Sequence, residues 1–255
     1  MLFVTAEHLM WLNLLMNSFN HNAIGTLHSP YKEKFAVPRQ PGLVPSAKAE
    51  LEILAPYDDI NAFNGLNDFS HLWLIFEFHK NIATTDTESG WSPTVRPPRL
   101  GGNKRVGVFA TRSPNRPNSI GLSLVEFHGL VQRDGKLFLL LSNIDLVDGT
   151  PIIDIKPYIP YADAMPNAKA GFAQMSPELT LTISFSEQAQ AKLHGLPSEY
   201  HDLQQFIEEV LQQDPRPAYK KLKADNKVYA MHLSDFNIKW QCSGEMIQVI
   251  SIDLV

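Results

Sequence analysis

The hydrophobic pattern predicts short strands over the first two thirds of the chain. Residues 49–54 alternate apolar and polar side chains, as a half-buried strand does, and residues 70–79 form the continuous apolar run of a strand covered on both faces. Residues 106–111 and 120–128 are also predicted strands, and a turn connects the latter to a strand at 136–141. Many short strands with little helix favour an antiparallel sheet that closes, or nearly closes, into a barrel.

The pattern changes after residue 161. Small residues and prolines follow, then a predicted strand, LTLTISF, and an amphipathic helix over 186–194. Residues 199–213 have apolar side chains on one helical stripe and give the clearest helix of the chain, and a hairpin ends it. We therefore predict a mainly β or α+β fold, with an N-terminal extension (1–21), a β-barrel (22–165), a linker (166–177) and a small α+β domain (178–255).

Composition narrows the class of protein. The chain has 255 residues, a net charge of −5 and 44% hydrophobic residues, which is ordinary globular composition. Its one cysteine, Cys242, excludes an internal disulfide and is consistent with a reducing cytoplasm, and no window is apolar enough for a membrane span. The apolar extension is either a short packing helix or the product of an upstream start codon, with Met16 as the real start.

One segment, 89–125, concentrates positive charge. It contains six cations and no Asp or Glu, although the chain as a whole is acidic. Such a segment is either a solvated basic loop or a binding loop for anions, and we favour the binding loop because Trp91, Phe109 and rigid Pro-Asn turns accompany the cations. Arg112 and Arg116 suit carboxylate or phosphate because guanidinium bonds are bidentate, although each is equally able to form a surface ion pair.

A second basic, Pro-rich loop spans 216–227. Together the two loops would make a footprint for a phosphate backbone, and Trp91, Phe109 and Tyr219 are able to stack on unpaired bases, as in RNA recognition. Between the two loops lies an acidic cluster, Asp145, Asp148 and Asp154. Asp148, which precedes Gly149, favours turn capping, but acids beside a cationic loop also suit a ligand with an amine and a carboxylate.

The residues alone do not name a reaction. GxGxxG after a strand, the P-loop, HExxH and GxSxG are absent, and the nine histidines do not fall at metal spacing. The outcome is a nucleic-acid or phosphate-ligand protein, either catalytic or purely binding. A hydrolase or lyase acting on a small phosphorylated ligand is a third class, for which the sequence offers no convincing nucleophile–base pair.

Several long motifs carry a resemblance to a known family. They are SPYKEKFAVPRQPGLV, SHLWLIFEFHK, TVRPPRLGGN, GVFATRSPNRPNSIGLSLV and IDLVDGTPIIDIKPYIPYAD, followed later by DPRPAY and DFNIKW. From about Ile24 to its end, the chain closely resembles the longer bacterial members of the TsaA/TrmO family, which are S-adenosylmethionine-dependent tRNA methyltransferases that modify adenosine 37. Ser119 departs from the family pattern, which usually has Pro after RPN.

The resemblance implies a fold, an assembly and a reaction. It implies a single-sheet β-barrel in a cytoplasmic homodimer with the site near the subunit interface. The implied reaction is N6-methylation of N6-threonylcarbamoyladenosine at position 37 of threonine tRNAs. The implied residues for binding the donor are Pro41, Gly42, Leu43, His79, Lys80, Arg112, Leu122, Asp148, Gly149, Thr150, Pro151 and Ile152.

The remaining expectations concern catalysis and tRNA. A methyl sulfonium needs no metal, so we expect none, and catalysis is then mostly positioning, with Asp148 or Asp154 as the proton acceptor. The expected tRNA-binding residues are Arg96, Arg99, Arg105, Arg116, Arg216 and Tyr219. The alternative is a non-catalytic RNA-binding module, which predicts tRNA affinity with steep salt dependence and no specific binding of the donor.

Overall fold

The computed structural model describes residues 19–81, 92–217 and 227–255. Most of the N-terminal extension, Trp91, Tyr219 and much of the second basic loop therefore lie outside the described residues. Among the residues described, no helix is both long and apolar enough to cross a membrane.

Six strands of the first part form one antiparallel sheet that closes on itself. They are β1 (Gly25–His28), β2 (Lys48–Ile53), β3 (His71–Glu77), β6 (Ile120–Arg133), β7 (Lys136–Ser142) and β8 (Thr150–Pro157). The order is β1-β2-β7-β6-β3-β8, and β8 pairs with β1 to complete the ring. Alternate side chains point inward, and Leu27, Leu51, Leu72 and Leu139 are completely buried there.

The basic segment forms only a small ladder, β4 (Thr94–Val95) with β5 (Val106–Gly107). The predicted strand over 106–111 is wrong beyond Gly107. The amide of Val108 donates to the carbonyl of Pro93 (2.9 Å), and Thr111 N donates to Val108 O (3.1 Å), which turns 108–110 into a 3-10 helix. Because β4 is two residues long, it offers no further partners for a longer strand.

The predicted strand at 120–128 is longer than expected, since β6 reaches Arg133, with a bulge between Phe127 and Gly129. Within this strand Gly121 pairs with Phe76 of β3. A Cβ at residue 121 would lie 2.2 Å from Phe76 Cζ. Phe76 is 4% exposed and its ring meets that of Phe78 edge-on at 4.8 Å, so it has little room to move.

The C-terminal part has its own sheet. A short helix, α1 (Pro160–Asp163), follows β8, and after an exposed stretch come β9 (Thr182–Phe185), α2 (Glu187–His194), α3 (Leu203–Gln212), β10 (Val228–Leu233), β11 (Phe236–Ser243) and β12 (Met246–Leu254). The sheet order is β10-β11-β12-β9, with β9 parallel to β12. The predicted closing hairpin is thus a meander of three strands.

The two helices begin where their sequences provide a start. The hydroxyl of Ser186 accepts a hydrogen bond from Ala189 N (3.1 Å) and caps α2. The helix predicted over 199–213 begins later, at Leu203, because residues 198–200 form a 3-10 turn that directs the Tyr200 hydroxyl to Asp235 (2.8 Å). The prediction of a mainly β fold with some helices is confirmed.

Candidate active site

Four segments meet around a cavity at one end of the closed sheet: the loop after β1, the end of β3, residues 111–116 and the loop between β7 and β8. The cavity has a volume of about 200 Å³. Its lining residues are Lys34, Val37, Phe76, Glu77, Phe78, His79, Lys80, Asn81, Pro114, Asp145, Leu146, Val147 and Thr150. Aromatic and aliphatic walls with a few polar groups are typical of a small-molecule site.

Asp148 ties two of these segments together. Its Oδ1 accepts from Ser29 N (2.8 Å), its Oδ2 pairs with Lys32 Nζ (3.0 Å), and its own amide donates to Tyr31 O (2.8 Å). Burial pushes the pKa of Asp148 up, but the hydrogen bonds from Ser29 and Lys32 outweigh it and the pKa is lowered. Both oxygens are therefore engaged and weakly basic, which favours the capping role over proton transfer.

The end of β3 contacts the basic segment and the loop after β1. Asn81 Nδ2 donates to Pro114 O (3.1 Å) and Asn115 Oδ1 (3.0 Å), and Lys80 Nζ donates to Lys32 O (3.2 Å). A Cβ on Gly149, which has a φ of +77°, would lie 3.9 Å from His79 Nε2. His79 and Gly149 are thus neighbours, and Lys80 and Asp148 both contact Lys32.

His79 has an altered pKa at this place. Burial lowers the pKa of His79, and the positive charges of Lys80 and Lys34 lower it further. The charges of Glu77 and Asp148 act in the opposite direction without reversing the shift. The imidazole is therefore neutral at pH 7 and presents one donor and one acceptor at the cavity.

Arg112 of the basic segment contacts residues 38–43, which lie in the loop after β1. Its Nη1 donates to Gln40 Oε1 (2.6 Å), next to the predicted donor-binding residues Pro41, Gly42 and Leu43. Gly42 has a φ of +78°, a backbone conformation that favours glycine. The structure thus places this loop beside the basic segment.

Asp145 is the site residue whose role the sequence did not predict. It lines the cavity, and its oxygen accepts from Ser123 Oγ. Burial raises the pKa of Asp145 to about 6, although the Ser123 hydrogen bond and the charge of Arg112 both act to lower it. Asp145 lies between Ile144 (1% exposed) and Leu146 (3% exposed), and that apolar context was the available signal for a buried carboxylate.

Three other residues that were predicted to belong to the site do not line the cavity. Asp154 pairs across the sheet with Ile75 on the outer face and forms an ion pair with Lys156 (2.8 Å). Leu122 also lies opposite Ile75 and is 54% exposed, whereas Ile152 is completely buried in the core. These positions do not favour proton transfer by Asp154, nor donor contact by Leu122 or Ile152 within one chain.

The predicted tRNA-binding arginines divide by their contacts. Arg96 is exposed, and Arg105 is exposed and bonded to Thr94 Oγ1 (2.7 Å). Arg99 Nε donates to Phe172 O (3.1 Å), and Arg116 Nη1 donates to Thr111 O (2.8 Å) inside its own loop.

The structure corrects the expectation for Arg216. This side chain is 4% exposed and makes a bidentate pair with Asp214, at 2.8 and 2.9 Å. A guanidinium that is buried and held by a neighbouring carboxylate stabilises the loop after α3 and is not presented to a phosphate backbone.

Comparison with known proteins identifies the family. Residues 26–164 match the model of the tRNA-methyltransferase O N-terminal domain, and residues 178–255 match the model of the TrmO C-terminal domain. The chain belongs to the TrmO family.

Relatives from this family match over almost the whole chain. The chain is 51% identical to the tRNA (adenine(37)-N6)-methyltransferase of Escherichia coli K12, over 93% of this chain and 99% of that protein. It is 43% identical to a putative S-adenosylmethionine-dependent methyltransferase of Pseudomonas aeruginosa, over 90% and 95%. The crystal structure of TrmO from Pseudomonas aeruginosa superimposes with a TM-score of 0.73 at 36% identity, covering 93% of this chain and 99% of that one.

The raised pKa of Asp145 has a consequence for stability. A carboxyl whose pKa is higher in the folded than in the unfolded chain favours folding in its protonated form. Stability from this group is therefore complete below the usual value of 3.8 and is lost as the pH rises to about 6. We expect Asp145→Asn, which keeps an acceptor for Ser123, to raise the free energy of unfolding at pH 7.5 by roughly 1–3 kcal/mol.

Urea denaturation at pH 7.5 and pH 4 measures this effect. The gain in the free energy of unfolding should shrink at pH 4. At that pH Asp145 is protonated in the folded wild-type protein and is therefore as neutral as asparagine. Asp154→Asn is the matched control, since Asp154 is an exposed partner of Lys156 and its replacement should leave stability nearly unchanged. A destabilised Asp145→Asn protein at pH 7.5 would contradict the assignment of a desolvated charge.

Proposed function

We propose that this chain is an S-adenosylmethionine-dependent tRNA methyltransferase that methylates N6 of adenosine 37, and that its acceptor is N6-threonylcarbamoyladenosine in threonine tRNAs. The observation that carries the proposal is the 51% identity to the Escherichia coli enzyme over nearly the full length of both proteins. The cavity with its basic surroundings supports the same function, because it joins a small-molecule site to a surface suited to polyanions.

The cavity fits a cationic methyl donor. Phe76 and Phe78 provide aromatic walls, and aromatic faces attract cations such as a sulfonium. Asp145 provides a partly desolvated carboxylate, whose pKa of about 6 records the cost of its burial. A positive charge nearby offsets that cost, so the part of the site beside Asp145 suits a sulfonium, whereas Lys34 and Lys80 on the same cavity suit a carboxylate.

We assign the proton-accepting role to Asp145. When bound, the sulfonium supplies an electrophilic methyl group. Methylation of N6 forms one N–C bond, breaks one S–C bond and releases the N6 proton, which Asp145 accepts on a carboxylate oxygen. With a pKa of about 6 Asp145 is mostly ionised at pH 7, and it is a stronger base than Asp148, whose pKa is lowered.

The cations near the cavity suit the modified acceptor. The threonylcarbamoyl group ends in a carboxylate, and Arg112 is exposed next to the cavity with Nη1 bonded to the neutral Gln40. Its guanidinium retains further donors for a carboxylate. Arg96 and Arg105, farther along the basic segment and exposed, are suited to the tRNA backbone.

A homodimer, which the resemblance implies, agrees with an exposed apolar strip on the outer face of the sheet. Ile120 is 39% and Leu122 is 54% exposed, and both lie on the face of β6 that Ile75 of β3 shares. Burial of such a strip between two copies would remove apolar surface from water and bring Leu122 near a second chain. Sedimentation equilibrium should give a mass of two chains, and a single-chain mass at micromolar concentration would count against the dimer.

Nucleoside mass spectrometry tests the function directly. The protein is incubated with S-adenosylmethionine and threonine tRNA carrying threonylcarbamoyladenosine, and we expect a gain of one methyl on that nucleoside. A reaction without the donor and a tRNA that lacks the threonylcarbamoyl group are the controls. If the protein retains the tRNA without methylating it, the result would favour a non-catalytic RNA-binding module. The exposed arginines are compatible with that alternative as well.

The dependence of the rate on pH tests the base. We expect kcat/KM for the donor, which reports the pKa of the protein before the donor binds, to fall tenfold for each unit of pH below about 6, because protonated Asp145 cannot accept a proton. Asp145→Asn should reduce the rate at pH 7.5 by about 10²–10⁴-fold and remove this acid limb. Asp154→Asn should retain both, and an unchanged profile in Asp145→Asn would exclude Asp145 as the base.

A further inference from the structure

The C-terminal part of the chain contacts the loop that carries the predicted donor-binding residues Pro41, Gly42 and Leu43. Gln213, just after α3, donates from Nε2 to Leu43 O (3.2 Å). Glu209, one turn earlier on α3, accepts from both Ser46 N (2.9 Å) and Ser46 Oγ (2.7 Å). This loop therefore has three hydrogen bonds to α3 and its C-terminal end.

The C-terminal part also contacts the loop after β1, which Asp148 ties to the cavity. Ser234, at the turn between β10 and β11, donates its amide to Pro30 O (2.7 Å), and the adjacent Leu233 forms a β-bridge with Tyr31. The Tyr31 ring is completely buried, with its centroid 5.6 Å from that of Phe206 on α3. The carbonyl of Tyr31 accepts from Asp148 N, so the contact reaches the site through one residue.

These contacts come from a body with its own core. Trp240 and Phe236 are completely buried in the C-terminal sheet, and Phe206, Ile207 and Val210 are the buried side of α3. A rigid element that holds two loops lowers the conformational entropy that the loops lose when a ligand orders them. Glu209 Oε2 and Gln213 Nε2 bond the connection between β1 and β2, and Glu209 Oε1 accepts from Gln205 on α3 (2.8 Å), so these groups are engaged within the chain.

We propose that the C-terminal domain positions two parts of the connection between β1 and β2, residues 30–31 beside the cavity loop and residues 41–46 with the predicted donor-binding residues, and so sets the affinity of the protein for the methyl donor. Glu209 and Gln213 are the positioning residues for the loop at 41–46, and the turn at Leu233 and Ser234 has that role for residues 30–31. This inference rests on the proposed function, because it assigns the loops to the donor.

Variants of α3 in the full-length protein test the proposal. Gln213→Ala removes the bond to Leu43. Glu209→Ala removes both bonds to Ser46, together with the bond from Gln205 inside α3. Gln204→Ala is the matched control, since Gln204 is on the same helix and its amide bonds within the helix to Glu208 (2.9 Å). Calorimetric titration with S-adenosylhomocysteine, the donor without its methyl group, measures binding without any tRNA.

We expect each of the two variants to weaken S-adenosylhomocysteine binding about tenfold, which corresponds to the loss of one or two hydrogen bonds that order a loop. The KM for the donor should rise by a similar factor with kcat changed less than about twofold, since the bonds position and do not react. Filter binding of tRNA should be unchanged, and Gln204→Ala should equal the wild type. Glu209→Gln, which retains an acceptor, should restore part of the affinity.

Two results would overturn the proposal. One is unchanged binding of S-adenosylhomocysteine by Gln213→Ala and Glu209→Ala, and the other is loss of tRNA affinity with donor affinity retained. If Glu209→Ala fails to fold, Gln213→Glu tests the proposal alone. This variant keeps the size of the side chain and removes the amide N–H that donates a hydrogen bond to Leu43 O. A wild-type protein that binds no S-adenosylhomocysteine refutes the proposed function itself, and that outcome is distinct from equal binding by wild type and variants.

Discussion

The cavity depends on the three bonds that Asp148 makes to the loop after β1. One carboxylate and one amide connect Ser29, Tyr31 and Lys32 to the loop between β7 and β8, two segments more than a hundred residues apart in sequence. Two further bonds join the same segments beyond the pairing of β1 with β8: Ser29 Oγ donates to Leu146 O (2.6 Å), and Gly149 N donates to Leu27 O (2.9 Å). A structural carboxylate thus fixes the position of the segment from which a second carboxylate, Asp145, faces the cavity.

Two aspartates three residues apart are therefore specialised by their surroundings. Asp148 has hydrogen-bond donors on both oxygens and a lowered pKa, whereas burial gives Asp145 a raised one. The carboxylate of Asp148 is therefore stable as an anion, whereas that of Asp145 retains affinity for a proton. This division explains why the acidic cluster contains more than turn-capping residues.

The sequence predicted the elements whose signal is local. The alternation at 49–54 and the apolar run at 70–79 correspond to β2 and β3, and the apolar stripe beginning at Leu203 corresponds to α3. The loops that carry His79, Arg112 and Asp148 were predicted from motifs and do meet. What depends on contacts distant in sequence was not predictable: Asp145 owes its pKa to burial against another strand.

Arg216 and residues 108–111 were missed for the same reason. The sequence around Arg216 is polar and rich in proline, which is typical of an exposed loop. The fold nevertheless buries the side chain near Tyr229 and Cys242 of the C-terminal sheet, although its ion-pair partner Asp214 is only two residues away. Residues 108–111 have strand propensity, yet the two-residue partner strand β4 leaves them unpaired and they turn. In both cases the tertiary environment overrides the local preference.

The contact between Gly121 and Phe76 limits which side chains the two positions can carry at the same time. The absence of a side chain at residue 121 allows the ring of Phe76 to form a wall of the cavity. A β-carbon gained there would require a smaller residue at 76, and the cavity would then widen at that wall. The two positions form a coupled pair, so the shape of the cavity depends on a glycine of the neighbouring strand that is not itself one of the lining residues.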